Sequence, residues 1–479
     1  MNGDTDPAPG TRGVIALDTI GHIAGPRLSG YDTYEVTLPR GVTEVRALLT
    51  YTDGMLFLTV FGPDGYRGTV MNPDARGRVT LDALCRADTA SPGVIAGTIE
   101  KGVWRFVIDH GPDLEEIDYR LLVLYTEEPA TDEGVSVEPA LVAKAVPEEH
   151  MISRGRGWYR GELHAHSIES DGKQPASVVA AIAEEVGLDF ISLTDHFAMS
   201  GWYHMRRALT GRTLLIRGCE ITSRLGHANV HGITSPIDPC VDGPGWTIND
   251  AADEVHRQGG IFGINHPFAA VLGWRNEDLD WDKVDVMEVI HGLDRPNNNL
   301  QLALWDHHLR VGRRIVGVGG TDSHDPGVGR HRLGRLVTWV DADELSEGGI
   351  IEGIRRGRVI VSWGPFVEFE IMTNDGTWGM WETLPVGTDP VTIRVQVTTD
   401  SPLRVFVLKN GMPLTYGWVT PSSSGTAEYT AFDTPRYPGY YRVEIHGPFE
   451  DADDASTRKA AGWRDYRSLL AVTNPILVG

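Results

Sequence analysis

The chain has 479 residues, more than a single domain usually contains, so two or three domains are expected. Its 43 basic and 66 acidic residues give a net charge of −23, and a surface of that sign disfavours nucleic acid as a partner because it repels polyanions. No apolar run approaches the length of about eighteen residues that a membrane-spanning helix needs, so no association with a membrane is expected.

The start of the sequence and the cysteines both favour a cytoplasmic location. The segment Met1–Asp6 carries neither the basic flank nor the apolar core of a signal peptide. Three cysteines, Cys85, Cys219 and Cys240, are far apart and odd in number, which argues against a disulfide framework. We therefore expect a cytoplasmic protein.

The first part of the chain has the pattern of a β-domain. Alternating runs such as Tyr34–Leu38 and Trp104–Ile108 are separated by Gly, Asp and Pro turns, which is typical of a β-sandwich. A weakly patterned stretch rich in Pro and Glu, Glu127–Glu149, follows and predicts a linker. Residues 1–150 are assigned to this sandwich and its linker.

In the middle of the chain, candidate strands alternate with candidate helices. The strands are expected near 161–166, 190–194, 214–220, 228–234, 260–265, 284–290, 314–319 and 335–340. The helices are expected at about 175–186, 247–258, 297–311 and 343–356. This alternation predicts an α/β domain over 151–365, a distorted barrel with one strand fewer than eight. The β pattern then returns and predicts a second sandwich over 366–479.

Histidine is concentrated in the predicted barrel, where 13 of the 17 histidines lie between Trp158 and His331. His164 and His166 are two residues apart in an alternating run, so a β-strand directs both imidazoles to one face, where they can reach one metal ion. Further candidate ligands follow in a turn or near strand ends, where α/β barrels build their active sites: Asp171, His196, Glu220, His227, His231, His266, Asp322 and His324. Because His, Asp and Glu without Cys suit Mn²⁺, Zn²⁺ or Fe²⁺, and so many ligands exceed the needs of one ion, we predict two to three divalent metal ions.

Six motifs in this order resemble the PHP (polymerase and histidinol phosphatase) superfamily of metallohydrolases over about residues 158–365: His164-x-His166, Ser170-Asp171-Gly172, Thr194-Asp195-His196, Gly218-x-Glu220, His266-Pro267 and Asp322-Ser323-His324. Further segments are similar to its CehA/McbA branch, which is named for hydrolases of carbamate esters: Gly226-His227-x-Asn229, Met287-Glu288-Val289, Gly319–His324 and Thr473–Ile476. The resemblance implies a trinuclear metal site in a distorted (β/α)7 TIM-like barrel, which the two sandwiches flank.

The resemblance also implies how the ligands are shared. The first ion is expected on His164, His166, Glu220 and Asp322. The second is expected on Asp171 and His196, with Glu220 bridging. The third is expected on His266 and His324 with either His227 or His231. The branch pattern fits His227 better, but His231 lies on the same strand face, so both remain candidates.

The predicted function is hydrolysis of an ester bond in a small molecule, with a hydroxide that bridges metal ions as the nucleophile. A phosphoester, and hence an anionic substrate, is favoured; a carbamate or carboxylic ester is the alternative, and a non-catalytic binding protein is a remote one. His196 and His291 are the candidate general acids, and Asp195 is expected to orient His196 or a neighbouring ligand. His291 departs from the branch, in which Asn is expected at this position. The sequence does not indicate the oligomeric state.

Overall fold

The computed structural model describes residues 13–23, 31–72, 76–110, 116–128, 150–243, 245–270, 272–293, 297–387, 389–447 and 468–479. Residues 129–149 of the predicted linker lie outside these ranges. Within the described part of the chain, no helix is both long and apolar enough to cross a membrane.

The N-terminal region contains two four-stranded antiparallel sheets that share one hydrophobic core. Its strands are β1 (Val14–Ile23), β2 (Asp32–Leu38), β3 (Glu44–Thr52), β4 (Leu56–Gly62), β5 (Gly65–Met71), β6 (Arg78–Arg86), β7 (Gly102–His110) and β8 (Ile117–Thr126). The first sheet has the order β1-β8-β3-β6 and the second the order β2-β7-β4-β5. Strand β3 shows why the sheets pack face to face, because its residues are buried at every second position. This is a β-sandwich.

The central region combines strands with five helices. Its strands are β9 (Met151–Ser153), β10 (Gly157–Ala165), β11 (Phe190–Leu193), β12 (Leu214–Ser223), β13 (Gly226–His231), β14 (Asp242–Gly243), β15 (Trp246–Thr247), β16 (Ile261–Ile264), β17 (Val286–His291), β18 (Val316–Gly320), β19 (Val337–Ala342), β20 (Leu345–Ser346) and β21 (Val359–Ser362). Its helices are α1 (Ala176–Glu185), α2 (Gly201–Ala208), α3 (Ile248–Arg257), α4 (Asn298–Arg310) and α5 (Glu347–Arg355). All eight predicted strands and all four predicted helices are present, and α2 was not predicted.

Seven of the central strands form one continuous row, β10-β11-β12-β13-β16-β17-β18. Strands β10, β11 and β12 are parallel, as are β16, β17 and β18, whereas β13 is antiparallel to both of its neighbours. A bridge between Ala165 and Ser323 joins the two ends of the row. The first half of β10 pairs with β19 instead, so β18 meets β10 only where both strands end.

The prediction of a (β/α)7 TIM-like barrel is therefore confirmed only in its coarser part, a strand-rich mixed α/β architecture. A regular barrel of this type alternates one helix with each parallel strand. In the described residues, β12 turns directly into β13 through the tight turn before Gly226, and only a 3₁₀ turn, Trp281–Lys283, lies between β16 and β17. The short hairpin leaves no room for a crossover helix, which is why β13 is antiparallel.

The C-terminal region is also a sandwich, but it shares a sheet with the central region. Its strands are β22 (Phe366–Thr373), β23 (Gly376–Trp378), β24 (Thr383–Leu384), β25 (Val391–Thr398), β26 (Leu403–Lys409), β27 (Met412–Val419), β28 (Thr426–Asp433), β29 (Gly439–His446), β30 (Leu469–Thr473) and β31 (Ile476–Val478). One sheet is β23-β22-β25-β28, and the other continues from β10 through β19 and β21 to β30-β29-β26-β27. A single core lies between them. The sheet therefore crosses the domain boundary expected at residue 365.

Candidate metal centre

Strand β10 and the residue after it place His164 and His166, both completely buried, in a cluster of polar side chains. The Nδ1 of His164 lies 2.7 Å from Oε1 of Glu288, a residue of β17. A carboxylate at this position accepts the Nδ1–H and leaves Nε2 without its proton. Nε2 of His164 faces the centre of the cluster, 3.3 Å from both Glu220 Oε2 and Asp322 Oδ1.

Glu220, on the antiparallel hairpin β12–β13, occupies the centre of the cluster. Five imidazole nitrogens lie 3.0–3.4 Å from its two oxygens, those of His164, His166, His196, His227 and His266. Burial raises the pKa of Glu220, but the neighbouring imidazoles lower it well below its ordinary value. The carboxylate is therefore ionised, and its two oxygens face different sets of imidazoles, as a bridging ligand requires.

Asp171 forms the second focus of the cluster. Its Oδ2 lies 3.0 Å from His324 Nε2 and 3.5 Å from His196 Nε2. Its Oδ1 lies 3.7 Å from His166 Nδ1. Burial raises the pKa of Asp171, but the charges of these histidines lower it well below its ordinary value. These four side chains offer ligand atoms that lie close enough together to surround one metal ion.

Asp322 closes the cluster from the end of β18. Its Oδ1 lies 3.0 Å from His166 Nε2, and its Oδ2 lies 3.5 Å from His291 Nε2. The residue has a φ of 53°, a left-handed conformation that turns the chain sharply after the strand. The preceding Gly320 is required by space, because a Cβ there would lie 2.2 Å from Glu288 Oε1. The glycine-rich strand thus lets β18 approach the buried carboxylate.

The structure brings together all but one of the ten predicted metal ligands, and it distributes them differently from the prediction. The exception is His231, whose Nδ1 hydrogen-bonds to Ser192 Oγ at 2.8 Å. His231 lies four residues beyond His227 on the same face of β13, about 13 Å deeper along the strand. Burial lowers the pKa of His231 to about 3, so it is neutral. Of the two alternatives, the structure places His227 in the cluster.

The second difference concerns His324, which the prediction grouped with His266 and either His227 or His231. In the structure His324 joins His166, Asp171 and His196 instead. His227 groups with His196 and Glu220, and His266 groups with His164 and Glu220. The bridge between Ala165 and Ser323 is the cause, because it fixes the segment after β18 beside the end of β10 and hence beside the loop that carries Asp171.

Asp195 does not face the cluster with its carboxylate. Its Oδ1 accepts hydrogen bonds from Ser167 N at 2.6 Å and Ser170 Oγ at 2.7 Å, and its Oδ2 accepts one from Ser167 Oγ at 2.7 Å. Burial raises the pKa of Asp195 to about 7. The side chain thus holds the loop between His166 and Asp171, a supporting role rather than direct catalysis.

The remaining catalytic candidates are His196 and His291, and they differ in the access of their ring nitrogens. In His196, Nδ1 lies 2.5 Å from Thr222 Oγ1 and Nε2 lies 3.5 Å from Asp171 Oδ2, so both nitrogens are directed at fixed groups. The ring of His291 lies at the edge of the cluster, 5.0 Å from the ring of His266. His291 also lies beside one candidate ligand, with its Nε2 3.5 Å from Asp322 Oδ2.

The cluster fits divalent metal ions. Both ring nitrogens of His166, Nε2 of His227 and Nδ1 of His266 are buried and have no hydrogen-bond partner among the described residues. Such atoms are costly to bury unless something satisfies them, and imidazole nitrogens are common metal ligands. Burial lowers the pKa of His166 to about 4, so this imidazole is neutral and its nitrogens are available to a metal ion. For His324, burial alone lowers the pKa, but Asp322 and Asp171 raise it to about 10.

Glu288 belongs to the cluster, although its residue type and position in the sequence did not lead to a predicted role. It supports His164, and its Oε2 also accepts a hydrogen bond from His266 N at 2.8 Å. The signal was present in the sequence, since Glu288 is the one acidic residue in the otherwise apolar run Val286–Ile290. A buried carboxylate in such a strand needs a partner, which indicates a role near the strand end.

Comparisons with known proteins identify similar solved structures but no family. No family model matches the chain, and no curated protein matches it either. A two-domain protein from Bacteroides vulgatus that contains a predicted PHP-like metal-dependent phosphoesterase is 20% identical, with a TM-score of 0.38, over 64% of this chain and 95% of that chain. A predicted metal-dependent phosphoesterase from Bifidobacterium adolescentis is 15% identical over 36% of this chain and 89% of its own, with a TM-score of 0.26. An amidohydrolase from Chromobacterium violaceum is 18% identical over 35% of this chain and 88% of its own, with a TM-score of 0.26. At these values the similarities do not identify a function.

Proposed function

We propose that the chain is a metal-dependent hydrolase that cleaves ester bonds, most favourably phosphoesters. One observation carries this proposal: a single buried carboxylate, Glu220, is surrounded by five imidazoles, and two further carboxylates complete the set around it. A purely structural core would not concentrate charged and neutral ligands in this way, because each buried polar group is costly unless it is satisfied.

Three groups of side chains would hold the ions. The first consists of His164, His166 and Asp322; the second of His166, Asp171, His196 and His324; and the third of His227 and His266 with Glu220, which also borders the other two. Divalent ions bound in such a site lower the pKa of water and polarise the electrophilic atom of an ester. Together with the bridge that closes the row of strands, this arrangement is what a distorted PHP-type barrel would supply.

The charge of the site favours an anionic substrate. Four carboxylates, Asp171, Glu220, Glu288 and Asp322, face the cluster and carry four negative charges. They would leave a surplus of two positive charges once three divalent ions are bound, and bound ions dominate the local field. A phosphoester carries its negative charge on the group that reacts, so this surplus stabilises it where bonds change.

We assign the donation of a proton to the leaving group to His291. Its Nε2 lies 3.5 Å from Asp322 Oδ2 and 3.9 Å from Glu288 Oε2, beside the ligands rather than among the closest contacts. Its backbone is fixed, because its N–H donates to Asn298 Oδ1 at 3.0 Å. His196 is less suitable since both of its ring nitrogens face other groups of the cluster.

A carbamate or carboxylic ester is the second candidate substrate. The motif Gly226-His227-x-Asn229, similar to the CehA/McbA branch, favours it, and this motif contributes His227 to the cluster. His227 contacts Glu220, while the side chain of Asn229 donates to the Leu163 carbonyl at 3.3 Å and so ties the hairpin to β10. The same nucleophile would serve both ester classes, so only turnover can separate them.

The test is a hydrolysis assay on protein loaded with Mn²⁺, comparing nitrophenyl phosphate mono- and diesters with a naphthyl methylcarbamate. The Asp322→Asn variant is the blank, because it keeps the size of the side chain but removes its charge. Turnover of phosphoesters by the wild type but not by the Asp322→Asn variant supports the proposal. Turnover of the carbamate alone would instead favour the second candidate substrate, a carbamate or carboxylic ester. Metal binding without any turnover would indicate the remote alternative, a non-catalytic binding protein.

A further inference from the structure

The N-terminal sandwich reaches the candidate metal centre through Tyr66. This residue lies on β5, but its ring packs against the hydrophobic core of the central region. Its hydroxyl donates a hydrogen bond to the carbonyl of Phe197, the residue that directly follows the candidate ligand His196. Thr69 Oγ1 lies 3.1 Å from the same hydroxyl and can donate to it, which leaves the Tyr66 proton for Phe197.

Phe197 is a strained point of the backbone. It has a φ of 54°, a left-handed conformation that is unusual for a bulky residue and needs support from its surroundings. Its N–H donates to the Glu220 carbonyl at 3.0 Å, and a bridge links His196 with Glu220. Its ring meets the edge of Phe57, on β4 of the sandwich, with ring centroids 6.1 Å apart. The sandwich thus contacts both the carbonyl and the ring of this residue.

A second contact reaches the loop that carries Asp171. Glu169 lies between His166 and Asp171 and is buried, and its Oε2 accepts a hydrogen bond from Gly93 N at 2.8 Å. Gly93 belongs to the N-terminal sandwich and has a φ of 82°. The sandwich therefore contacts a residue next to each of two candidate ligands of one group: Glu169, two residues before Asp171, and Phe197, directly after His196.

We propose that Tyr66 is a positioning residue for the metal group formed by His166, Asp171, His196 and His324, and that the N-terminal sandwich is a working part of this metal centre. The inference rests on the proposed metal-dependent function. The Tyr66 hydroxyl holds the left-handed Phe197, and Phe197 sets where the His196 ring stands between Glu220 and Asp171. The first group shares only His166 with the two loops that the sandwich contacts, and the third meets them only through Glu220, whose Oε2 lies 3.1 Å from His196 Nδ1.

The experiment compares the full-length protein with its Tyr66→Phe and Tyr34→Phe variants. Tyr34→Phe is the matched control, since the Tyr34 hydroxyl lies 2.8 Å from the Tyr119 hydroxyl, within the same sandwich. Each protein is stripped with a chelator and titrated with Mn²⁺ in a calorimeter, and with Co²⁺ while the visible absorption of the bound ion is recorded. Substrate is absent throughout, so the result does not depend on which ester is cleaved.

Tyr66→Phe is expected to weaken one class of metal sites by roughly 10-fold, the lower end of what loss of a supporting group around a metal ligand costs, and to change the Co²⁺ spectrum. The remaining sites and the Tyr34→Phe variant should match the wild type. If Tyr66→Phe does not fold, Phe57→Leu weakens the same support from the ring side and should show the same selective loss. Binding curves and spectra equal to those of the wild type would refute the positioning role alone, whereas a wild-type protein that binds no metal would refute the proposed function and the inference with it.

Discussion

Replacing Glu288 with Gln tests whether the carboxylate behind His164 matters for the metal centre. Although burial raises it, the charges of His164, His291 and His266 lower the pKa of Glu288, so the carboxylate is ionised. It lies 2.7 Å from His164 Nδ1, and its charge makes the imidazole a better ligand at Nε2. An amide at this position can still accept a hydrogen bond, but it carries no charge and can turn its NH₂ group towards the ring.

The size of the effect follows from this contact. Loss of a supporting partner of a metal-bound histidine typically lowers metal affinity 10- to 100-fold, which corresponds to about 1.4–2.8 kcal/mol. Glu288 also accepts a hydrogen bond from His266 N at 2.8 Å, so two candidate ligands depend on it. We therefore expect the upper half of this range for the ions held by His164 and His266.

Glu162→Gln is the matched control, because Glu162 is a buried carboxylate next to the cluster with a different role. Burial raises its pKa to about 7, and three N–H groups, of Leu163, His164 and Thr321, donate to its Oε1 at 2.9–3.0 Å. An amide oxygen can accept the same three bonds. Metal affinity measured by competition with a chelator should therefore change little in Glu162→Gln and fall strongly in Glu288→Gln. Equal losses in both variants, or none in Glu288→Gln, would refute the assignment.

Further outcomes follow from the same geometry. His166→Ala and Asp322→Asn should each lower hydrolysis about 100-fold or more with an unchanged circular dichroism spectrum, since both side chains would bind the proposed ions directly. His231→Gln should leave the number of bound ions unchanged when metal content is measured, because its ring hydrogen-bonds to a serine outside the cluster. Metal affinity should rise with pH, because His324, with its pKa raised to about 10, must lose a proton to bind, and calorimetry in buffers of different ionisation enthalpy should detect that proton. The same shift stabilises the metal-free protein below about pH 6.5, and this contribution is lost as the pH rises through about 10. His291→Gln should slow substrates with poor leaving groups about 100-fold and nitrophenyl esters much less, and equal losses would argue against a general acid.

The parts of the site that depend on local spacing could be predicted from the sequence. His164 and His166 share a strand face because side chains alternate with a period of two, and the structure places both in the cluster. The strand-end positions of His196 and Asp322 could also be predicted, because the end of a strand can be located from the point where an apolar run stops. These residues need only one element to be placed correctly.

To choose between His227 and His231, one must know how far along β13 each residue lies from the cluster. The alternation of side chains indicates only the face of the strand, not this distance. Both side chains lie on the same face of β13, but only His227 contacts Glu220, at 3.0 Å, whereas His231 hydrogen-bonds to Ser192. The hairpin register does not decide between them, because it places Asn229 opposite Glu220 and the two histidines two residues to either side of Asn229. The choice depends on which neighbouring strands each ring meets, and no local pattern in the sequence indicates that.

The grouping of His324 depended on contacts between elements that are far apart in the sequence. The bridge from Ala165 to Ser323 sets which loop meets the end of β18, and no local pattern indicates it. The continuity of the central sheet with the C-terminal strands was missed for the same reason. Strand β21 was assigned to one domain and its partner β30 to another, although they are hydrogen-bonded neighbours.

This continuity gives the C-terminal sandwich a physical connection to the candidate metal centre through helix α4. At the start of the helix, Asn298 fixes the backbone of His291, and towards its end Asp306 accepts hydrogen bonds from Arg442 Nε and Nη2 at 2.8 and 2.7 Å. Arg442 lies on β29, is completely buried, and donates to Glu444 as well, at 2.8 Å. A buried charge of this kind is tolerated only while its partners stay in place, because each unpaired ion would be costly. The position of α4, and with it the proposed proton donor His291, is therefore fixed by a C-terminal region whose described residues contribute no ligand to the cluster.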